Sequence, residues 1–308
     1  MIEPDGAQVI DREAEAELFQ ELLRLEDQRQ LFLVSDYKQR GKTTLLRKLK
    51  YHCDWHQPRI PCALVRLDDL PDSHPFALVE ALYDELQAAG VAFPEFQRHR
   101  DAIRLRDPAA FMAQGVASFQ HATISGGQAA GFITNVHVAQ GSGPVVVNAT
   151  PPAWDASLET YAREAAIRSF FRELRTVCDE QLLVCLVDSV DEQANRTLIS
   201  WVLDKFVRAQ LLDAAECPRQ FVMALAGRSE QSPFTPFRQN YPLRVQSVEG
   251  LGAWSNEHVR AFLDLNRPPG KAWPLTDADI DFLRDRINRG DTLEKALSIV
   301  MVLYGSDQ

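Results

Sequence analysis

Three consecutive residues, Gly41-Lys42-Thr43, have the chemistry that binding of a nucleoside triphosphate requires. Glycine lets the backbone come close to phosphate oxygens, and the first amides of a following helix point at the anion. Lys42 reaches the β- and γ-phosphates, while the Thr43 hydroxyl is a ligand for Mg²⁺. The tripeptide therefore predicts a phosphate-binding turn. The residues expected to line this turn are Lys38, Gln39, Arg40, Gly41, Lys42, Thr43 and Thr44.

The flanking residues predict the strand and the helix that position such a turn. Residues 31–34 (LFLV) are typical of a strand buried on both faces, and Leu45 and Leu49 lie four apart, as on one face of a helix. The alternative is an ordinary lysine-rich turn that enters a helix. In the full pattern G-x-x-x-x-G-K-[ST], Asp36 occupies the first glycine position. Its carboxylate must turn away from the phosphates or weaken their binding.

A second stretch supplies carboxylates. The apolar residues 182–187 end in Asp188, and Asp191 and Glu192 follow shortly after. An aspartate at the carboxyl end of a parallel strand can hold Mg²⁺ opposite Thr43, and a nearby acid can deprotonate the attacking water. Asp188 fits the metal role, and Asp191 or Glu192 fits the role of base. Asp191 is alternatively the N-cap of the next helix.

A third apolar run, residues 221–226, ends in Gly227-Arg228. A cation at the end of this strand can sense the γ-phosphate or stabilise charge during phosphoryl transfer. The alternative is that Arg228 forms an ion pair at the surface. Arg228 is therefore a third candidate catalytic residue, beside Asp191 and Glu192.

The rest of the chain predicts further strands, helices and an insertion. Apolar strands are expected over 60–67, ahead of Asp68-Asp69, and over 243–248. Helical periodicity is found over 13–26, 75–88, 156–178, 199–212, 255–265, 276–287 and 291–304. The Gly-, Ser- and Pro-rich insertion, about 91–152, contains a candidate helix over 109–119 and a candidate hairpin over 132–147. A core over 1–250 and a small helical domain over 251–308 are therefore expected.

Composition narrows the class of function. The chain has 308 residues, a net charge of −10 and a pI near 5.2, an acidic balance that opposes a general role in nucleic-acid binding. Its longest apolar run is six residues, too short for a membrane span. The five cysteines are scattered, as expected of reduced and mostly buried thiols. These features favour a cytoplasmic protein.

Three motifs in order along the chain resemble those of the STAND family of P-loop ATPases, signal-transduction switches related to AAA+ proteins. Residues 183–192 match the family pattern hhhhDxxDE, Gly227-Arg228 matches its sensor, and Val9-Ile10-Asp11-Arg12-Glu13 matches the motif ahead of the loop. The resemblance implies that Ile10 and Arg12 contact the nucleotide. Gly290-Asp291-Thr292 stands where the family has Gly-x-Pro, so that contact lacks its proline.

The resemblance implies an α/β fold of the ASCE-type P-loop NTPase class, with a parallel sheet in the order 5-1-4-3-2 and ATP across its carboxyl edge. It also implies an ATP-binding signalling switch with slow Mg²⁺-dependent hydrolysis. Such a switch acts in trans with effector or sensor proteins in signalling or defence. Whether it forms a nucleotide-dependent oligomer is left open by the resemblance. The alternative is a pseudo-ATPase scaffold, which Asp36 and the missing proline favour. Phosphotransfer to a small molecule is disfavoured because no second substrate motif is visible.

Overall fold

The structure is a computed structural model that describes residues 12–24, 30–36, 41–111, 153–190, 196–213, 218, 220–228, 233–251, 253–265, 273–289 and 293–304. The chain divides into two compact units: Met1–Ala92 with Leu174–Gln308, and Phe93–Glu173. Among the described residues, no helix combines the length and the apolar character that crossing a membrane requires.

The first unit is built on a five-stranded parallel sheet. Its strands are β1 Leu31–Asp36, β2 Cys62–Arg66, β3 Leu183–Asp188, β4 Phe221–Arg228 and β5 Val245–Glu249. The spatial order is β2-β3-β4-β1-β5, which reads 5-1-4-3-2 from the β5 edge. All five strands lie where the apolar runs predict them, and the α/β class with a parallel sheet is confirmed.

Burial explains why the central strands could be predicted from their apolar runs. Every residue of β1 and β3 is buried, and β4 is buried up to its last residue, because helices cover both faces of a parallel sheet. The edge strands β2 and β5 are more exposed, and β5 also contains more polar residues than the other strands. Polar residues within β1 and β3 are confined to their last positions, which places them at the carboxyl edge of the sheet.

At least one helix lies between each pair of strands that are consecutive along the chain. They are α1 Glu13–Leu22, α2 Lys42–Trp55, α3 Pro75–Ala88, α4 Pro94–Leu105, α5 Ala156–Glu180, α6 Arg196–Trp201, α7 Thr235–Asn240, α8 Asn256–Leu265, α9 Asp277–Asn288 and α10 Leu293–Tyr304. Helix α6 continues as a π-helix over Val202–Leu212. The expected helix over 75–88 is confirmed at both ends by α3, whereas α7 and α4 were not predicted.

Helices α1 and α2 pack on one face of the sheet. Leu45, Leu46 and Leu49 of α2 are fully buried in the same hydrophobic cluster as Phe32 and Val34 of β1. Lys48 of α2 also donates to Glu13 of α1 at 2.8 Å, and this hydrogen bond lowers the pKa of Glu13. Helix α2 is thereby held against both β1 and α1.

The last three helices share a hydrophobic cluster of their own. Its buried members are Trp254, Val259, Leu263, Ile280, Leu283, Ile287, Ala296 and Val300. Helix α9 is capped at its start, since Thr276 and Asp279 form a reciprocal capping box. A helical domain over 251–308 stays a prediction, as does its boundary with the core.

The second unit contains α4 and the part of α5 up to Glu173. Glu173 accepts hydrogen bonds from the amides of Glu95 and Phe96 at 2.8 Å each, at the start of α4, while burial raises its pKa. A helix begins at residue 108, one residue before the predicted start at 109, with Asp107 accepting from two amides of its first turn. The unit therefore extends beyond the expected insertion of about 91–152, whose candidate hairpin lies outside the described residues.

Candidate functional site

Charged residues line the carboxyl edge of the sheet. From β2 to β5, the last residues of the strands are Arg66, Asp188, Arg228, Asp36 and Glu249. Arg66 is the register partner of Asp188, and Asp36 is the register partner of Arg228. Cations and anions thus alternate over four neighbouring strands. This arrangement follows from the parallel order, which brings all the strand ends to one edge.

The phosphate tripeptide lies at the start of α2. Gly41 is the N-cap of this helix and has φ +90°, a left-handed conformation that favours glycine. Its carbonyl accepts from the amide of Leu45 at 2.8 Å, and Thr44 lies in the first turn. Lys42 Nζ donates to the backbone carbonyl of Asp36 at 2.9 Å. The ammonium group is therefore folded back over the end of β1. Lys38, Gln39 and Arg40 lie outside the described residues.

Thr43 and Asp188, the two residues predicted to share a metal, are in direct contact. Thr43 Oγ1 donates to Asp188 Oδ2 at 2.5 Å, across 145 residues of sequence. The other carboxylate oxygen of Asp188 accepts from the amide of Ser189 at 2.9 Å, and Asp188 is only 3% exposed. The carboxylate is therefore held with one oxygen toward the first turn of α2.

The donor set at this contact suits Mg²⁺. A hydroxyl and a carboxylate are hard oxygen ligands, and Mg²⁺ in nucleotide sites is usually bound through one or two carboxylates together with phosphates and water. Over the described part of the chain, no group of three or more His, Cys, Asp and Glu side chains is placed to hold a metal ion. A dedicated all-protein metal cage is therefore absent from those residues.

Of the two remaining arginines of the prediction, Arg12 lies beside Gly41 and Arg228 lies at the carboxyl edge of the sheet. Arg12 is 3% exposed, and a Cβ atom placed on Gly41 would lie 3.8 Å from Arg12 Nη2, so the guanidinium lies beside the turn. Arg228 ends β4, the strand between β3 and β1, and is partly buried. Ile10, Asp191 and Glu192 lie outside the described residues. Their predicted roles stay predictions.

Asp36 has a partner that the sequence did not reveal. Its Oδ2 accepts from the amide of Leu251 at 2.9 Å, and the residue is 3% exposed. Asp36 is paired in β1 with Arg228 and has no positive φ, so the position does not require the conformational freedom of glycine. Of the two alternatives for this carboxylate, the contact supports the one in which it is directed to another partner than phosphate.

Two further arginines at the edge were missed. Arg66 ends β2 and lies near Asp188, a position that the strand pattern before Asp68-Asp69 could have indicated. Arg238 of α7 donates to Ser35 Oγ at 2.6 Å and pairs with Glu249. Because α7 has only six residues, its sequence shows no helical period that could have placed Arg238.

The four cysteines in the described part of the chain are buried thiols. Cys53, Cys62, Cys178 and Cys185 are free and buried. Burial raises the pKa of Cys62, with a smaller effect of the neighbouring Cys53, and raises that of Cys185 to about 12. Thiols of this kind are structural and poorly reactive.

Comparison of the chain with protein-family models and with curated proteins finds no match. Function is therefore inferred from the residues and their geometry. The features that bear on it are the helix-capping Gly41, the Lys42 ammonium group and the contact between Thr43 and Asp188.

Proposed function

We propose that the chain is an ATP-binding switch of the STAND type with slow Mg²⁺-dependent ATP hydrolysis. The observation that carries this proposal is the 2.5 Å contact between Thr43 Oγ1 and Asp188 Oδ2. Two hard oxygen ligands, predicted from separate motifs, meet where a strand end faces a helix start. An accidental lysine-rich turn gives no reason for a buried carboxylate from β3 to face it.

The phosphate-binding role of Lys42 and Gly41 is supported by the start of α2. The amides of the first helical turn and the helix dipole favour an anion at this end. Lys42 Nζ donates to a neutral carbonyl at 2.9 Å, and a charged phosphate oxygen is a stronger acceptor for an ammonium group. In the proposed complex, Lys42 leaves the Asp36 carbonyl for the phosphates. The buried Arg12 beside Gly41 supplies a second positive charge.

Thr43 and Asp188 are the residues that would hold Mg²⁺. When bound, the ion neutralises charge on the phosphate oxygens. In the proposed hydrolysis, water forms a bond to the γ-phosphorus while the bond to the β–γ bridging oxygen breaks. Glu192 accepts the proton of the water, with Asp191 as the alternative base. Arg228 stabilises charge on the transferred group.

The biological role proposed is a conformational switch that works with partner proteins in signalling or defence, as the resemblance implies. A second candidate is a pseudo-ATPase that serves as an interaction scaffold. Two departures from the family motifs favour this second candidate: Asp36 stands at the first glycine position of the phosphate-loop pattern, and Thr292 stands where the Gly-x-Pro motif has proline. Binding of ATP decides between them.

The experiment is a titration of the purified chain with labelled ATP and Mg²⁺, beside Lys42→Ala. The control is Lys50→Ala, the same substitution on the same helix, where the lysine pairs with Glu85 on the surface. We expect Lys42→Ala to weaken ATP binding about tenfold or more with an unchanged melting temperature, and Lys50→Ala to bind as the wild type does. Equal and negligible binding by wild type and Lys42→Ala would favour the scaffold.

A further inference from the structure

Arg66, the last residue of β2, is surrounded by three carboxylates. Its Nη2 lies 2.9 Å from Asp68 Oδ2, its Nη1 lies 3.4 Å from Asp69 Oδ2, and its Nε lies 3.9 Å from Asp188 Oδ2. Asp68 and Asp69 follow Arg66 in a single 3₁₀ turn, whereas Asp188 comes from the neighbouring strand. One guanidinium group therefore connects the surface of the edge with the candidate metal ligand.

The three distances are not equivalent. The contact with Asp68 is a charge-assisted hydrogen bond, and the contact with Asp69 is an ion pair. At 3.9 Å, the Nε–H of Arg66 is attracted to Asp188 but is too far away to form a hydrogen bond. The Nε atom is buried and has no hydrogen-bond partner. Arg66 is thus held by its two terminal nitrogens just short of a third partner that its Nε–H would suit.

The oxygen that Arg66 approaches, Asp188 Oδ2, also contacts α2. Asp188 Oδ2 accepts the Thr43 hydroxyl, and Asp188 has a side-chain exposure of only 4%. If Arg66 closed onto this oxygen, its positive charge would compete with a cation for the same lone pairs. Asp68 and Asp69, with side-chain exposures of 38% and 63%, keep the terminal nitrogens of Arg66 engaged at the surface.

We propose that Arg66 is a positioning residue that limits cation binding at Asp188, and that Asp68 and Asp69 hold it back from that carboxylate. This inference rests on the proposed function in one respect, since it takes Asp188 to be a ligand of Mg²⁺. Asp68 and Asp69 act through Arg66 and do not bind the ion themselves. The pair of carboxylates thereby sets how strongly the site holds its metal.

The two halves of the proposal predict effects of opposite sign. Arg66→Gln removes the competing charge and tightens Mg²⁺ binding. Asp68→Asn with Asp69→Asn releases Arg66 toward Asp188 and weakens Mg²⁺ binding. Each change is about two- to fivefold, the size expected of a half-exposed ion pair. In the triple variant, which also carries Arg66→Gln, the asparagines have no further effect because the residue through which they act is gone.

The test measures the Mg²⁺ concentration at half-maximal ATP binding for the wild type and these three variants. Tightening by Arg66→Gln, weakening by the two asparagines and equality of the triple variant with Arg66→Gln support the proposal. Unchanged or weaker binding by Arg66→Gln overturns it. An equal loss on adding the asparagines to wild type and to Arg66→Gln also overturns it, because the aspartates would then act on the ion directly.

A second readout needs neither Mg²⁺ nor ATP. The Nε–H resonance of Arg66, identified by its absence from Arg66→Gln, should move downfield in the double asparagine variant as it forms a charge-assisted hydrogen bond with Asp188. An unmoved resonance overturns the proposal that the two aspartates hold Arg66 back. If the wild type shows no Mg²⁺-dependent ATP binding, the proposed function fails and the role of Arg66 in cation binding fails with it. Intact binding with additive effects removes only the role of Arg66.

Discussion

The ends of β1 and β3 carry the same residue in the same place, with different surroundings. Asp36 and Asp188 each end a fully buried strand, and each is 3% exposed. Asp188 accepts from a side-chain hydroxyl in the first turn of α2, whereas Asp36 accepts from the backbone amide of Leu251. A hydroxyl can rotate and change its partner, but a buried amide that loses its acceptor is left unsatisfied. The two aspartates are equally buried, so it is the hydrogen-bond partner that distinguishes the proposed metal ligand, Asp188, from Asp36, whose contact braces the end of β1.

The end of β1 is braced by the two residues that follow β5, Gly250 and Leu251. The amide of Gly250 donates to the carbonyl of Ser35 at 2.9 Å, next to the contact between Leu251 and Asp36. Leu251 is 4% exposed and belongs to the core cluster under α2. The end of β1 thus contacts Lys42 through the Asp36 carbonyl, and it contacts the segment after β5 through both the Ser35 carbonyl and the Asp36 side chain. The end of β3 contacts the site through its side chain.

The largest expected effect is on catalysis, beyond the end of β3. Glu192→Gln should lower the rate of ATP hydrolysis by about 10²–10⁴-fold while ATP affinity is retained, because the substitution removes a base and leaves the phosphate contacts intact. Hydrolysis and binding are measured on the same preparation. Unchanged hydrolysis by Glu192→Gln, with Asp191→Asn inactive, would transfer the role to Asp191. Full activity of both variants would remove both residues from catalysis.

The next effect is on stability, at the end of β1. Asp36→Ala leaves the buried amide of Leu251 without its acceptor and should lower the free energy of unfolding by about 1–3 kcal/mol. Urea unfolding of this variant is compared with that of Asp36→Asn, whose side-chain oxygen can still accept the hydrogen bond. An Asp36→Ala variant as stable as wild type would show that the contact with Leu251 does not brace the strand.

A smaller effect is expected at Thr43. Thr43→Val keeps the shape of the side chain but removes the hydroxyl, so the gain in ATP affinity on adding Mg²⁺ should fall about tenfold. Thr43→Ser retains the hydroxyl and serves as the matched control, with a gain close to that of wild type. The affinities are measured by calorimetry with and without Mg²⁺. A full Mg²⁺ effect in Thr43→Val would remove the hydroxyl from the site.

The smallest expected effect is that of neutralising Asp36. Because its carboxylate is engaged by Leu251, Asp36→Asn should change ATP affinity at low salt by less than about twofold. The other alternative left open by the sequence, a carboxylate that faces the phosphates, would give a larger change, since a charge near phosphates costs about 1–4 kcal/mol at an effective dielectric near 20. If Asp36→Asn or Asp36→Gly instead bound ATP tenfold or more tightly than wild type, the Asp36 charge would weaken phosphate binding. The difference drawn here between Asp36 and Asp188 would then be wrong.

The contrast also shows what the sequence could predict. Strands buried on both faces are continuous apolar runs, so their positions could be predicted. The polar residue that ends β3 could be predicted for the same reason. The partner of Asp36 was not legible because it is a backbone amide 215 residues away, and every residue except proline has such an amide. Helix α4 was missed because its buried residues are only Phe96, Ala102 and Ile103, too few for a helical period.

For the arginines at the carboxyl edge of the sheet, too, partners from distant segments could not be predicted from the sequence. Arg228 was singled out from the sequence because it ends an apolar strand and resembles a family sensor, while the contacts of Arg66 and Arg238 exist only in the folded chain. The role of a charged residue depends on which carboxylates and hydroxyls the fold places beside it, and those come from distant segments. Sequence patterns predicted where the strands end. The structure was needed to show which partners the charged residues at those ends contact.

The most direct test of the account is the effect of Mg²⁺ on ATP affinity in Asp188→Asn and Asp36→Asn. The two variants carry the same substitution at the last residue of two buried strands. We predict that wild type and Asp36→Asn bind ATP more tightly when Mg²⁺ is present, and that Asp188→Asn binds ATP with nearly the same affinity in both conditions. A full Mg²⁺ effect in Asp188→Asn, or its loss in Asp36→Asn alone, would contradict the assignment of Asp188 as the metal ligand.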